Sequence, residues 1–294
     1  MNKKLLQFAS MLLVAVCLCV NFIACGDDDD DVKKDGTEQD DAGPVRPVSG
    51  TENGYAWVNL GLPSGLKWAT CNVGAASPWD YGDYFAWGET VGYGKSDPSN
   101  AHNQSYTGGS TVKTDCYWET YKYCSGTSYS TLTKYNHDSD YGVVDNKGTL
   151  DLSDDAARVN MGGSWRMPTT EEQRELRNNC YWEWTDSYSG KGVEGYIVYK
   201  VKSASDKGEV KCSGESTATV GSYSLADPHI FLPAAGYRHT SDLRDAGGSG
   251  YYWSSSLYDG SYPNRAYYLL FYSDLACCPN GLRCSGLSVR AVCK

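Results

Sequence analysis

The sequence predicts an α+β fold in which antiparallel sheets dominate, with two short helices and long loops, and three observations carry that prediction. Tyr (24), Trp (9) and Gly (32) far outnumber Met (4) and Phe (5) in 294 residues, a balance that favours strands, turns and aromatic loops over a helical bundle. Short strand-like runs recur along the chain between Gly, Pro and Asn clusters. Only two short helices are legible, each from its start signals.

The elements follow in order. Residues 55–60 and 66–70 read as two strands joined through Gly61-Leu62-Pro63-Ser64-Gly65, a hairpin that opens the domain. Residues 92–148 are rich in Ser, Thr, Tyr, Asn and Gly and poor in aliphatics, and read as a long irregular surface excursion. Ser153 as N-cap, Asp154 and Asp155 against the dipole, and Gly162-Gly163 as the stop predict a first helix. Thr169-Thr170-Glu171-Glu172 after Pro168 reads as a capping box, opening a second helix through Leu176 to about Asn179. Strands are then expected at 196–201, 229–232, 251–256, 266–272 and 288–292. The formal GxGxxG at Gly190, Gly192 and Gly195 runs into a strand rather than out of one into a helix, so it is a loop and no dinucleotide site.

The N-terminus carries an address. Lys3 and Lys4 precede an apolar stretch at 11–24 that is too short to span a bilayer comfortably and reads as a signal peptide, residues 1–24. It closes on Phe22-Ile23-Ala24-Cys25, which resembles a bacterial lipobox and implies lipidation of Cys25. Residues 25–53 read as a solvated acidic tether: 26–52 hold 10 acidic and 3 basic residues, and the run Asp27 to Asp31 looks like the surface-export signal of Bacteroides-type lipoproteins. Residues 54–294 are then a single domain, and the expected location is the outer membrane, lipid-anchored and facing outward. A net charge of -10 argues against nucleic acid as a partner.

Of twelve cysteines, Cys17 and Cys19 leave with the signal and Cys25 is spent on lipid, which leaves nine, an odd number. Plausible local bridges join Cys116 to Cys124, and Cys277 or Cys278 to Cys284 or Cys293. Clustered Cys and His pairs of the kind zinc needs are absent.

An ordered set of motifs resembles the Fibrobacter succinogenes major paralogous domain family. It comprises residues 58–74, beginning Val58-Asn59-Leu60-Gly61-Leu62-Pro63; residues 81–89, ending Trp87-Gly88-Glu89; Trp165-Arg166-Met167-Pro168-Thr169; residues 232–238; Tyr252-Trp253-Ser254-Ser255-Ser256; and Ser288-Val289-Arg290-Ala291-Val292. The resemblance covers nearly all of 55–292. It implies a C-type-lectin-like fold, similar to that of formylglycine-generating factors and some adhesins, and a surface address; it assigns no activity, and no oxidase cysteines are carried over.

Four histidines, His102, His137, His229 and His239, and no GxSxG, HExxH or Walker loop leave no nominated catalytic residue. Recognition is the better expectation: exposed Tyr and Trp stack on sugar rings and protein surfaces, and Tyr117, Trp118, Tyr121, Trp182, Trp184, Tyr258 and Tyr262 are the candidates. Trp68, Trp87 and Trp253 are expected in the core. Asp138, Asp140, Asp145 and Asp151 could supply oxygen ligands to calcium, against the plainer alternative of a solvated loop. Arg166 and Arg290 are expected as structural glue, with Glu89 and Asp83 as possible partners. The expected partner is a glycan or a host or extracellular protein, with contact to the membrane by lipid anchor only. The alternatives are a structural surface-assembly component, or an enzyme accessory acting on extracellular polymers.

Overall fold

The computed structural model describes residues 48–212 and 222–294. The signal peptide, Cys25 and the acidic run lie outside the described residues. Among the described residues, fourteen short strands and three short α-helices follow one another: β1 Gly50–Glu52, β2 Tyr55–Asn59, β3 Lys67–Asn72, α1 Ala101–Tyr106, α2 Ala156–Met161, α3 Thr170–Asn179, β4 Cys180–Thr185, β5 Gly195–Lys200, β6 Val210–Lys211, β7 His229–Pro233, β8 Tyr237–His239, β9 Asp242–Arg244, β10 Ser249–Leu257, β11 Arg265–Tyr272, β12 Leu275–Cys277, β13 Asn280–Leu282 and β14 Arg290–Cys293. Sheets are mostly antiparallel and helices few, as expected for an α+β chain.

The expected hairpin forms, with Val58 opposite Trp68 and Asn59 opposite Lys67. It belongs to a sheet of order β1-β2-β3-β14, so the last strand pairs beside the first hairpin. Residues 50–52 are therefore strand rather than tether, which moves the start of the folded domain upstream of residue 54. A second sheet has the order β6-β4-β5-β7. In the third, β10 covers one edge of β11 while β12 and β13 share the other in tandem.

Both predicted helices are present. In α3, Thr169 accepts from the Glu172 amide and the Glu172 carboxylate reaches back to the Thr169 amide, a complete capping box. The first begins later than expected: Leu152–Asp154 is a 3-10 turn, and the cap is Asp155, whose carboxylate accepts from the Arg158 amide.

The core forms three clusters. The first gathers Trp87, Tyr121, Tyr135, Trp165 and Trp253; the second Trp68, Trp182, Trp184, Tyr196 and Phe271; the third Tyr181, Tyr188, Tyr199 and Phe231. Trp68, Trp87 and Trp253 are buried, as alternation predicts. Residues 92–148 are irregular, but they are no surface excursion: Trp118, Tyr121, Tyr123, Leu132 and Tyr135 supply much of the first cluster.

Buried cations tie the sheets together. Arg290 donates to Asn72 Oδ1 (3.0 Å), the Ala69 carbonyl (3.2 Å) and the Phe231 carbonyl (2.9 Å), linking the first and second sheets without a carboxylate. Arg166 pairs with Glu172 through both guanidinium nitrogens (2.7 and 2.6 Å). The partners expected for these arginines serve lysines instead: Asp83 pairs with Lys95, and Glu89 with the fully buried Lys113. Burial works against the Lys113 ammonium, yet the adjacent Glu89 charge prevails and its pKa is raised. All nine described cysteines are free thiols, so neither expected local bridge forms. Cys124 is directed into its own loop, against the Ser128 carbonyl (3.0 Å) and Thr131 Oγ1 (3.0 Å).

Candidate functional site

Alternation makes the third sheet two-faced. Tyr252 on β10 and Leu269 and Phe271 on β11 point into the second core cluster. The opposite face carries Tyr251 and Trp253 from β10 and Ala266 and Tyr268 from β11, with Trp253 directly across from Tyr268. On that face lies a depression of about 290 Å³ lined by Tyr237, Tyr251, Trp253, Tyr268, Gly281, Leu282, Ser285 and Leu287.

Its walls are aromatic and fixed. The Tyr237 and Tyr251 rings are 4.7 Å apart, Tyr251 and Tyr268 5.9 Å, and Trp253 and Tyr268 5.8 Å edge to face. Trp253 forms the floor, buried and held by its indole N–H on the Phe85 carbonyl (2.8 Å). Tyr251 donates its phenol to Asp245 Oδ2 (2.8 Å). Burial, reinforced by that carboxylate, raises the Tyr251 pKa, so the ring stays neutral and its tilt is fixed. Gly281 has no side chain where a Cβ would lie 2.9 Å from the Tyr268 ring.

A second depression, about 200 Å³, is lined by Tyr129, Tyr141, Tyr262, Asn264, Arg265 and Leu282. Leu282 lines both, so the two are adjoining parts of one aromatic groove. Tyr129 and Tyr262 are about half exposed, at 49% and 54%. Behind this part, the fully buried Arg283 donates to the carbonyls of Lys134, Tyr135 and Pro263 and to the Tyr121 phenol. One guanidinium thus pins residues 134–135 and the 263–264 turn to the core.

Two other depressions are less suited to recognition. The largest, about 310 Å³, is lined chiefly by Gly54, four alanines, Thr70 and Cys71, with Tyr55 its sole aromatic ring. The other, about 240 Å³, holds Tyr258 beside His137, Lys147 and Asp259.

The structure divides the expected recognition residues. Tyr262 lines the groove and Tyr258 a separate depression. Tyr117 is half-buried, edge-on to His239 at 5.8 Å. Trp118, Tyr121, Trp182 and Trp184 are corrections: all four are buried and cannot meet a ligand. Tyr121 donates to the Trp87 carbonyl (2.7 Å), while Trp182 and Trp184, on one face of β4, pack edge-on against Tyr196. The groove residues that sequence reasoning passed over, Tyr237, Tyr251 and Tyr268, come from three strands whose proximity no local pattern encodes.

The calcium expectation is also corrected, because three of the four carboxylates are engaged separately. Asp138 accepts from the Asp140 amide (2.9 Å), and Asp145 from the amides of Tyr135 and Asn136 (both 2.9 Å). Asp140 is an exposed residue of the 3-10 turn that Asp138 caps. Asp151 pairs with Lys134 (2.7 Å) and Lys147 (2.6 Å), which hold its pKa down to about 2. Among the described residues no group of three or more His, Cys, Asp or Glu side chains is placed to hold a metal ion.

Comparison with protein-family models, with curated proteins and with solved structures finds no match to this chain. Among the described residues no helix is long and apolar enough to cross a membrane.

Proposed function

We propose that this chain is the non-catalytic recognition domain of a surface lipoprotein, anchored through Cys25 and binding glycan in the groove over β10, β11 and β13. The observation that carries the reading is the groove itself: Tyr237, Tyr251 and Tyr268 over the Trp253 floor offer flat apolar faces with hydroxyl rims, the chemistry that stacks on and hydrogen-bonds to sugar rings. The polar side chains lining it are phenols, an indole, a serine hydroxyl, an amide and a guanidinium, groups that bind rather than exchange protons near neutral pH. The ordered motifs from Val58 to Val292 support a place in the Fibrobacter succinogenes major paralogous domain family, and the mostly antiparallel sheets with few helices are compatible with its C-type-lectin-like fold.

A glycan-array screen of the purified chain, run in calcium and again in chelator, tests this reading. Specific binding that survives chelation is the expected result, because Asp138, Asp145 and Asp151 are already engaged by amides and lysines; binding to no glycan would sink it. The anchor is tested by metabolic labelling with a fatty acid, which Cys25→Ala is expected to abolish.

A further inference from the structure

We propose that the groove takes an extended saccharide carrying a single carboxylate, its acidic ring against Tyr262 and Arg265 and the adjoining ring stacked on Tyr251 and Tyr268. The inference rests on the reading of the groove as a glycan site. Neither depression reaches the ~300 Å³ at which small-molecule pockets begin, so each holds about one ring, and their junction at Leu282 makes a two-ring ligand the natural occupant.

The charge argument centres on Arg265. It stands half-buried at the start of β11, and among the described residues its side chain makes one hydrogen bond, from Nη1 to Asn280 Oδ1 at 3.1 Å. Among the described residues no carboxylate lies within ion-pair distance of it, although its guanidinium carries five donors. Its Cζ is 5.9 Å from the centre of the Tyr262 ring, and the Tyr268 phenol on the other side of Leu282 feels its charge. It therefore lines the second depression with donors to spare, the arrangement that recognises a carboxylate through a planar fork.

Asn264 adds a second polar signal. It lines the same depression, is only 7% exposed, and among the described residues its Oδ1 has no hydrogen-bond partner. A buried acceptor left unpaired is costly, and because Oδ1 is shielded from solvent a ring hydroxyl would satisfy it once the amide turns toward the depression. Asp138 and Asp140 are near enough for the Tyr141 phenol to feel them. With the net charge of -10, they disfavour a polyanionic polymer and leave room for one carboxylate.

The test titrates the full chain in detergent with two matched pairs, sialyllactose against lactose and aldotriouronic acid against its methyl ester. The pairs separate a sialic-acid from a uronic-acid source of the carboxylate. Wild type is expected to bind at least one acidic member about tenfold more tightly than its neutral partner, the scale of one charge-assisted fork. Arg265→Gln should bring the acidic and neutral members of the pair within about twofold of each other. Equal binding of acidic and neutral members, or failure to bind either acid, overturns the carboxylate inference; the wild-type comparison decides this even if a variant does not fold. The groove reading falls separately, if the full chain binds no glycan at all.

Discussion

At the scale of single residues, His229 shows how this chain uses titratable groups for architecture. Its Nδ1 lies 2.8 Å from the Asp227 carbonyl, which can only accept, so Nδ1 carries the proton and Nε2 accepts from the Tyr188 phenol at 2.9 Å. Burial lowers the pKa of this imidazole despite the opposing pull of Asp227. The unfolded chain then binds a proton near the ordinary histidine value of about 6.5 while the folded chain does not, so stability is full above that pH and falls below it until the folded pKa is passed. The urea midpoint should drop between about pH 7.5 and about pH 5.5, and His229→Phe should flatten that drop while lowering the midpoint at the upper pH. Equal slopes in the two proteins would show that His229 does not carry the effect. Arg283 and Arg290 follow the same logic as buried cations satisfied by carbonyls, hydroxyls and amides rather than by carboxylates.

At the scale of elements, what was legible in the sequence is what local chemistry encodes. The capping box at Thr169 and Glu172 sets α3 within four residues, and the glycines and proline between β2 and β3 set the first hairpin. Strand β4 escaped because both its faces are buried: Tyr181 enters the third cluster while Trp182 and Trp184 enter the second, so no in-out alternation marks it. The aromatics of residues 92–148 have no period, and only long-range contacts such as Tyr121 on the Trp87 carbonyl bring them inside. Of the candidate site, Tyr262 was legible as a loop tyrosine, whereas the Tyr237, Tyr251 and Tyr268 constellation depends on the pairing of β10 with β11 and on where β8 meets them. Gly281 gives this element-level account a test. It pairs with Ala266 on β11, and its backbone is not in the left-handed region. Gly281→Ala should cost under about 1 kcal/mol of stability, yet its Cβ would displace the Tyr268 ring from 2.9 Å and weaken glycan binding several-fold. A variant with unchanged affinity would remove Tyr268 from the site.

At the scale of the whole molecule, the proposed function joins a lipid anchor to a binding groove. On the proposed reading a lipid on Cys25 holds the chain at a surface, and the aromatic face of the third sheet supplies the ligand contacts. The same sheet buries Phe271 and Leu269 behind the groove, so ligand contact and fold stability share strands but not faces. The most direct measurement is a titration of wild type, Tyr251→Ala and Tyr106→Ala with the best glycan from the array. Tyr106 is an exposed tyrosine on α1 that lines none of the four depressions described above. The account predicts that Tyr251→Ala loses about tenfold or more in affinity, the equivalent of ~1.4 kcal/mol, while Tyr106→Ala binds as wild type does. Wild-type affinity in Tyr251→Ala, with the fold intact, would contradict it.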